Sequence, residues 1–105
     1  MQAEDTLFRA LADPSRRAIF ERLTLGEAAV KDLTARFDIS QPAVSQHLAA
    51  LRSAGLVSDR REGRLIYYRV EPNGLRPLVD WIAQYQAFWL ERMDRLQELL
   101  KEMDE

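Results

Sequence analysis

The feature that most limits what this chain can fold into is a change of hydrophobic period at Gly55. Before it, apolar residues recur every three or four positions. After it, two short runs, Val57 to Arg61 and Leu65 to Val70, take the alternation expected of strands. Helical spacing then returns from Leu78 to Leu100. A period near 3.6 buries one stripe of a helix and a period of two buries one face of a pleated strand. The pattern therefore predicts helices, then a hairpin, then one long helix. With 105 residues these elements form a single domain around a single core.

Local chemistry divides the first part. Leu7, Leu11, Ile19 and Leu23 belong to a leading segment broken at Asp13 and Pro14. There Asp can cap a helix and Pro, which lacks an N–H, fits its first turn. Two short helices follow from that break. Ala29, Val30, Leu33 and Phe37 define a third. Ser40 and Pro42 repeat the cap and first-turn pair for a fourth helix, from about Gln41 to Ala54, with Gly55 as its stop. Glu62, Gly63 and Arg64 supply the hairpin turn, and Pro72, Asn73 and Gly74 separate it from the last helix. The tail after Met103 is expected to fray. The fold class is thus mainly α with a β-hairpin: five helices, the last one long.

Composition removes several functions. There is no cysteine and one histidine, His47, which excludes disulfides, thiolate metal sites and cysteine nucleophiles. The four glycines make no phosphate-binding loop, and no paired-histidine motif exists. An enzyme is not expected, and neither is a cofactor or a bound metal. The polar, acidic start and the absence of an apolar run near 18 residues predict a cytoplasmic chain without membrane contact. The net charge of −2 excludes a globally basic coat, but the charge is unevenly spread. Six arginines face three carboxylates between Arg36 and Arg69, whereas three cations face six carboxylates from Glu91 onward.

The third and fourth helices with their tight turn form a helix-turn-helix, whose second helix can enter a DNA major groove. Val44, Leu48 and Leu51 fall in one arc of that helix, Pro42, Gln46 and Ala49 lie opposite, and Ala43, Ser45 and His47 flank them. Gln46 can pair bidentately with adenine; Gln41, Ala43, Ser45 and His47 complete the groove-facing set. An ordinary core-packed helical hairpin would show the same spacing. The hairpin tilts the balance, because Arg60, Arg61 and Arg64 gather near its tip, where a ribbon can reach flanking DNA. Arg52 joins them as a candidate contact. Charges that merely blunt an exposed edge strand are the plain alternative. A helix-turn-helix with a basic hairpin is a winged helix.

The last helix carries more apolar surface than one neighbour can cover. Its residues Leu78, Trp81, Ile82, Tyr85, Phe88, Trp89, Met93 and Leu96, with Leu7 of the first helix, are the candidate contacts of a twofold homodimer, formed by segments 1–12 and 75–103. Such a dimer sets two reading helices about 34 Å apart and calls for an inverted-repeat operator. Intramolecular core is the second reading of the stripe and an aromatic ligand pocket the third. The rival function is a winged-helix interaction module that docks a protein partner through this helix.

These residues resemble the ArsR/SmtB family of bacterial winged-helix regulators over nearly the whole chain. Asp13, Pro14, Ser15, Arg16, Arg17 and Ile19 are similar to the family's D-P-[ST]-R-R-x-I opening, and Ile39 to Leu48 to its I-S-Q-P-x-[VI]-S-x-H-L recognition helix. Leu51, Ala54, Gly55, Leu56 and Val57, then Gly63, Leu65, Ile66, Tyr67 and Tyr68, resemble its L-x-x-A-G-L-V and G-R-x-x-Y-Y wing. The resemblance implies a homodimeric repressor on double-stranded operator DNA. Metal-sensing members carry E-L-C-V-C-D-L where this chain has Glu27 to Leu33, with Ala29 and Lys31 in place of the two thiols. No histidine follows His47, although Asp80, Glu91 and Asp94 are present. The chain therefore looks like the cysteine-free, SdpR-like autorepressor type. A small-molecule effector, if any, has no signature here, and repression rather than activation is an implication of the resemblance alone.

Overall fold

The computed structural model describes residues 3–104; residues 1 and 2 of the expected 1–12 interface segment, and residue 105 of the domain, lie outside them. Five helices, α1 (Ala3–Ala12), α2 (Pro14–Leu23), α3 (Val30–Arg36), α4 (Gln41–Ser53) and α5 (Arg76–Asp104), accompany three strands, β1 (Ala28–Ala29), β2 (Val57–Glu62) and β3 (Leu65–Val70). The break between α1 and α2 forms as its chemistry requires. The Asp13 carboxylate accepts the Arg16 N–H at 2.9 Å, and that bond holds its pKa below the usual carboxylate value. The Arg16 and Arg17 guanidiniums then donate to carbonyls of Arg9, Ala10 and Leu11, satisfying the acceptors that the end of α1 leaves open.

Helix α4 is bounded with equal care. Ser40 Oγ accepts the Ala43 N–H at 3.2 Å. At the other end Gly55, with φ of 78°, takes the left-handed conformation that lets its N–H reach the Arg52 carbonyl and the Leu56 N–H reach Leu51, both at 3.0 Å. The chain is thereby turned straight into β2. Gly63, with φ of 61°, opens the two-residue hairpin turn, where a positive φ is required at the first central position.

The sheet order is β1-β3-β2, all antiparallel. The third strand departs from expectation: Ala29 pairs with Tyr67 and Ala28 with Tyr68, so Ala29 precedes α3 instead of belonging to it. Two alanines carry no alternation to read, and their low strand propensity is overridden by pairing to β3. Three smaller boundaries also shift: Phe37 caps α3, β2 continues through Glu62, and α5 stays helical to Asp104.

Leu7, Ile19, Leu33, Val44, Leu48, Leu51 and Leu56 form the deepest layer of the core, drawn from α1 to α4 and the loop after them. Helix α5 buries no residue. At about 1.5 Å per residue its 29 residues project well beyond the body. The result is a molecule of 66 × 30 × 21 Å with a radius of gyration of 18.8 Å, against about 13 Å for a compact domain of this length. No described helix is long and apolar enough to cross a membrane.

Candidate nucleic-acid interface

The inner arc of α4, Val44, Leu48 and Leu51, is fully buried, which fixes the direction of every other side chain on the helix. Pro42, Ser45, Gln46 and Ala49 are exposed, as is Gln41 in the first turn. The two flanks differ. Gln41 and Ser45 face the wing, where with Lys31, Arg64 and Leu65 they line a cleft of about 330 Å³ floored by Val30, Ile66 and Tyr68. Ala43 and His47 occupy the opposite flank and are half-buried. The His47 charge is felt by Asp13 at the cap of α2, and its Nδ1 is buried without a hydrogen-bond partner among the described residues. The structure therefore brings Gln41, Ser45 and Gln46 to one outer surface and turns Ala43 and His47 toward the protein body, correcting their place in the groove-facing set. Their angular position, a third of a turn past Gln46, is the physical reason.

The wing arginines also separate. Across the β2–β3 ladder Arg60 stands opposite Tyr67 and Arg61 opposite Ile66, so the two arginines point to different faces. Arg60 donates to Glu27 at 2.6 Å and to Glu62 at 2.6 Å, and its guanidinium carbon lies 4.5 Å from the Tyr67 ring centroid. These carboxylate bonds push the Arg60 pKa further above its ordinary value and, from the other side, the Arg60 hydrogen bonds hold Glu27 below its own. Arg52 is similarly spent on Asp59 at 3.3 Å, tying the end of α4 to β2. Arg60 and Arg52 are thus internal clamps in this structure, not open cations. Arg61 and Arg64 are exposed and make no ion pair among the described residues.

Two participants escaped sequence reasoning. Glu27 and Lys31 flank β1, and only the pairing of Ala28 with Tyr68 carries them to the wing, 33 positions away along the chain in the case of Glu27 and Arg60. A carboxylate and a lysine at the edge of a helix gave no signal without that strand.

The expected dimer residues fall into two groups. Leu7 is 2% exposed and sits inside the protomer's own core, so it has no side-chain surface to offer a second copy. Its neighbour Phe8 is the exposed aromatic of α1 and meets Trp81 edge-on at 5.2 Å, with Tyr85 5.0 Å from Trp81. Leu78 packs partly against the core and Trp81 is half-buried. Ile82, Tyr85, Phe88, Trp89, Met93 and Leu96 remain exposed, Trp89 at 61% and Leu96 at 56%. Among the described residues no group of three or more His, Cys, Asp or Glu is placed to hold a metal ion.

Comparison with known proteins places this geometry. Residues 13–59 match the family described as bacterial regulatory protein, arsR family. The chain is 35% identical over 81 residues to the transcriptional repressor SdpR of Bacillus subtilis, covering 77% of this chain and 90% of that protein. It is 36% identical over 99 residues to the arsenical resistance operon repressor of Escherichia coli, covering 92% and 81%. A solved ArsR family transcriptional regulator superposes with a TM-score of 0.75 at 32% identity, over 83% of this chain and 90% of that one.

Proposed function

The chain belongs to the arsR family of bacterial regulatory proteins, and from that premise we propose that it is a homodimeric repressor that reads an inverted-repeat operator. It is a DNA-binding transcriptional regulator with a winged-helix fold, and not an enzyme. The observation that carries the finer reading is the pairing of a recognition helix exposing Gln41, Ser45 and Gln46 with a wing whose Arg61 and Arg64 are unspent. Gln46 presents an amide able to bond adenine in two places, and the wing arginines supply charge to the flanking backbone.

The homodimer rests on α5. A 29-residue helix with no buried residue and an apolar stripe along its length is not stable as a solitary projection, because helices of this kind are held by packing their apolar face. A second copy covers the stripe with the same stripe, continued by Phe8 and Trp81. Segments 3–12 and 75–103 are the proposed interface within one single domain. Two recognition helices then sit about one helical turn of DNA apart, and occupancy of such a site blocks a promoter. With no cysteine in the chain, arsenical or other thiolate sensing forms no part of the proposal, and a small-molecule effector is left unassigned. A cytoplasmic location accords with a DNA partner.

A binding selection on promoter fragments with the purified protein tests this. The expected product is an inverted repeat with half-site centres about 10 base pairs apart or a multiple of that. Failure to retard any fragment at low salt, with a stoichiometric protein partner co-purifying, would favour a docking module acting through α5.

A further inference from the structure

We propose that Lys31 is a DNA-backbone contact, and that the cleft between α3, the start of α4 and β3 seats a phosphodiester between its ammonium and the Arg64 guanidinium. The inference deepens the DNA-binding reading and rests on it. Lys31 lies in the first turn of α3 and Arg64 in the wing turn, yet both line the same cleft of about 330 Å³, with Gln41 and Ser45 on the α4 side. Neither cation has an ion-pair partner among the described residues. Bringing two such charges to one cleft is unfavourable in the free protein, and an anion between them removes the repulsion.

The neighbouring charges sharpen the assignment. Arg52 and Arg60 are already neutralised by Asp59, Glu27 and Glu62, so Lys31, Arg61 and Arg64 are the wing-side cations left for a ligand. Asp32, exposed beside Lys31, makes no ion pair with it among the described residues. The cleft also has the right place. A duplex that contacts both the outer face of α4 and the wing must carry its backbone across the space between them, which is this cleft. A lysine on a flexible stem is a point charge without the fork that discriminates base edges, so the contact it makes is positional and independent of sequence. Lys31 also occupies the position that the metal-sensing pattern gives to its second thiol. Here that position holds a permanent cation facing the DNA side.

The test uses the full-length protein and a fluorescein-labelled mixed-sequence duplex of about 30 base pairs, long enough for two half-sites, with affinity followed by anisotropy across a salt series. Each lost phosphate contact lowers the slope of log K against log salt by about 0.9. Lys31→Ala is expected to weaken binding roughly tenfold per protomer at 0.1 M salt and to flatten the slope by that amount, while Lys31→Arg keeps the wild-type slope. Lys101→Ala, on the far end of α5, is the charge-matched control and leaves the slope unchanged. An unaltered slope in Lys31→Ala, or an equal flattening in Lys101→Ala, would overturn the assignment while leaving the DNA reading intact. Absence of binding by the wild-type protein at low salt would overturn both.

Discussion

Arg60 and Arg64 stand four positions apart in one hairpin, yet the structure predicts opposite consequences for their removal. Arg64 is exposed and makes no ion pair among the described residues. Arg60 is held by carboxylate oxygens of Glu27 and Glu62 at 2.6 Å each and stacks on Tyr67. Each phosphate neutralised contributes about 0.9 to the salt slope, and a symmetric dimer loses two contacts per substitution. Arg64→Ala should therefore flatten the slope by about 1.8, so that between about 50 and 200 mM salt the wild type loses roughly tenfold more affinity than the variant. Arg60→Ala should leave the slope within about 0.2 of wild type, since its charge is already compensated. Its cost appears instead as a lower thermal midpoint, because Glu27 loses its partner and the wing loses its tie to β1. Anisotropy titrations over a salt series, with unfolding scans on the same samples, read both quantities. Equal flattening by the two variants would refute the division of the wing into a DNA face and a clamp face.

Other substitutions separate the remaining roles. Gln46→Ala should relax preference at one operator base pair by about 1–3 kcal/mol with little change in salt slope, as measured by competition with single-base variants of the selected site. Ser40→Ala removes the cap of α4 and should cost about 0.5–2 kcal/mol in denaturant unfolding. Leu7→Ala should destabilise by about 2–5 kcal/mol as a core truncation and leave the oligomeric state alone, whereas Leu96→Glu should yield monomers in sedimentation with the fold intact by circular dichroism. Glu27 has its pKa held below 4.5 chiefly by the Arg60 hydrogen bond. Its ionised form thus adds stability above that pH, lost as pH falls through the lowered value. The difference in urea midpoint between wild type and Glu27→Gln should accordingly be present at neutral pH and vanish on acidification below about 4.5.

Much of this was legible because local and tertiary preferences agree. Asp13 and Ser40 each precede a proline-bearing first turn, and Gly55 sits where only a left-handed residue can close α4 and start β2. Those signals are short-range, so the sequence carries them openly. The arc of Val44, Leu48 and Leu51 was legible for the same reason. What escaped depends on pairing across the chain. The Ala28–Ala29 strand exists only by virtue of β3, and without it neither the Glu27–Arg60 clamp nor the meeting of Lys31 with Arg64 can be foreseen. Counting arginines at the hairpin tip treated Arg60, Arg61 and Arg64 as one cluster, while the pleat sends Arg60 and Arg61 to opposite faces. Leu7 misled differently. It shares a helical stripe with residues near the interface, but a core this small draws on every large side chain of α1 that can reach it.

The account depends on two copies of the chain presenting their recognition helices to one duplex. Native mass spectrometry of the protein with the selected operator measures this directly. Two chains of 12.2 kDa per duplex, with Leu96→Glu reduced to one weakly bound chain, is the predicted result. A wild-type complex containing a single chain bound with full affinity would contradict it.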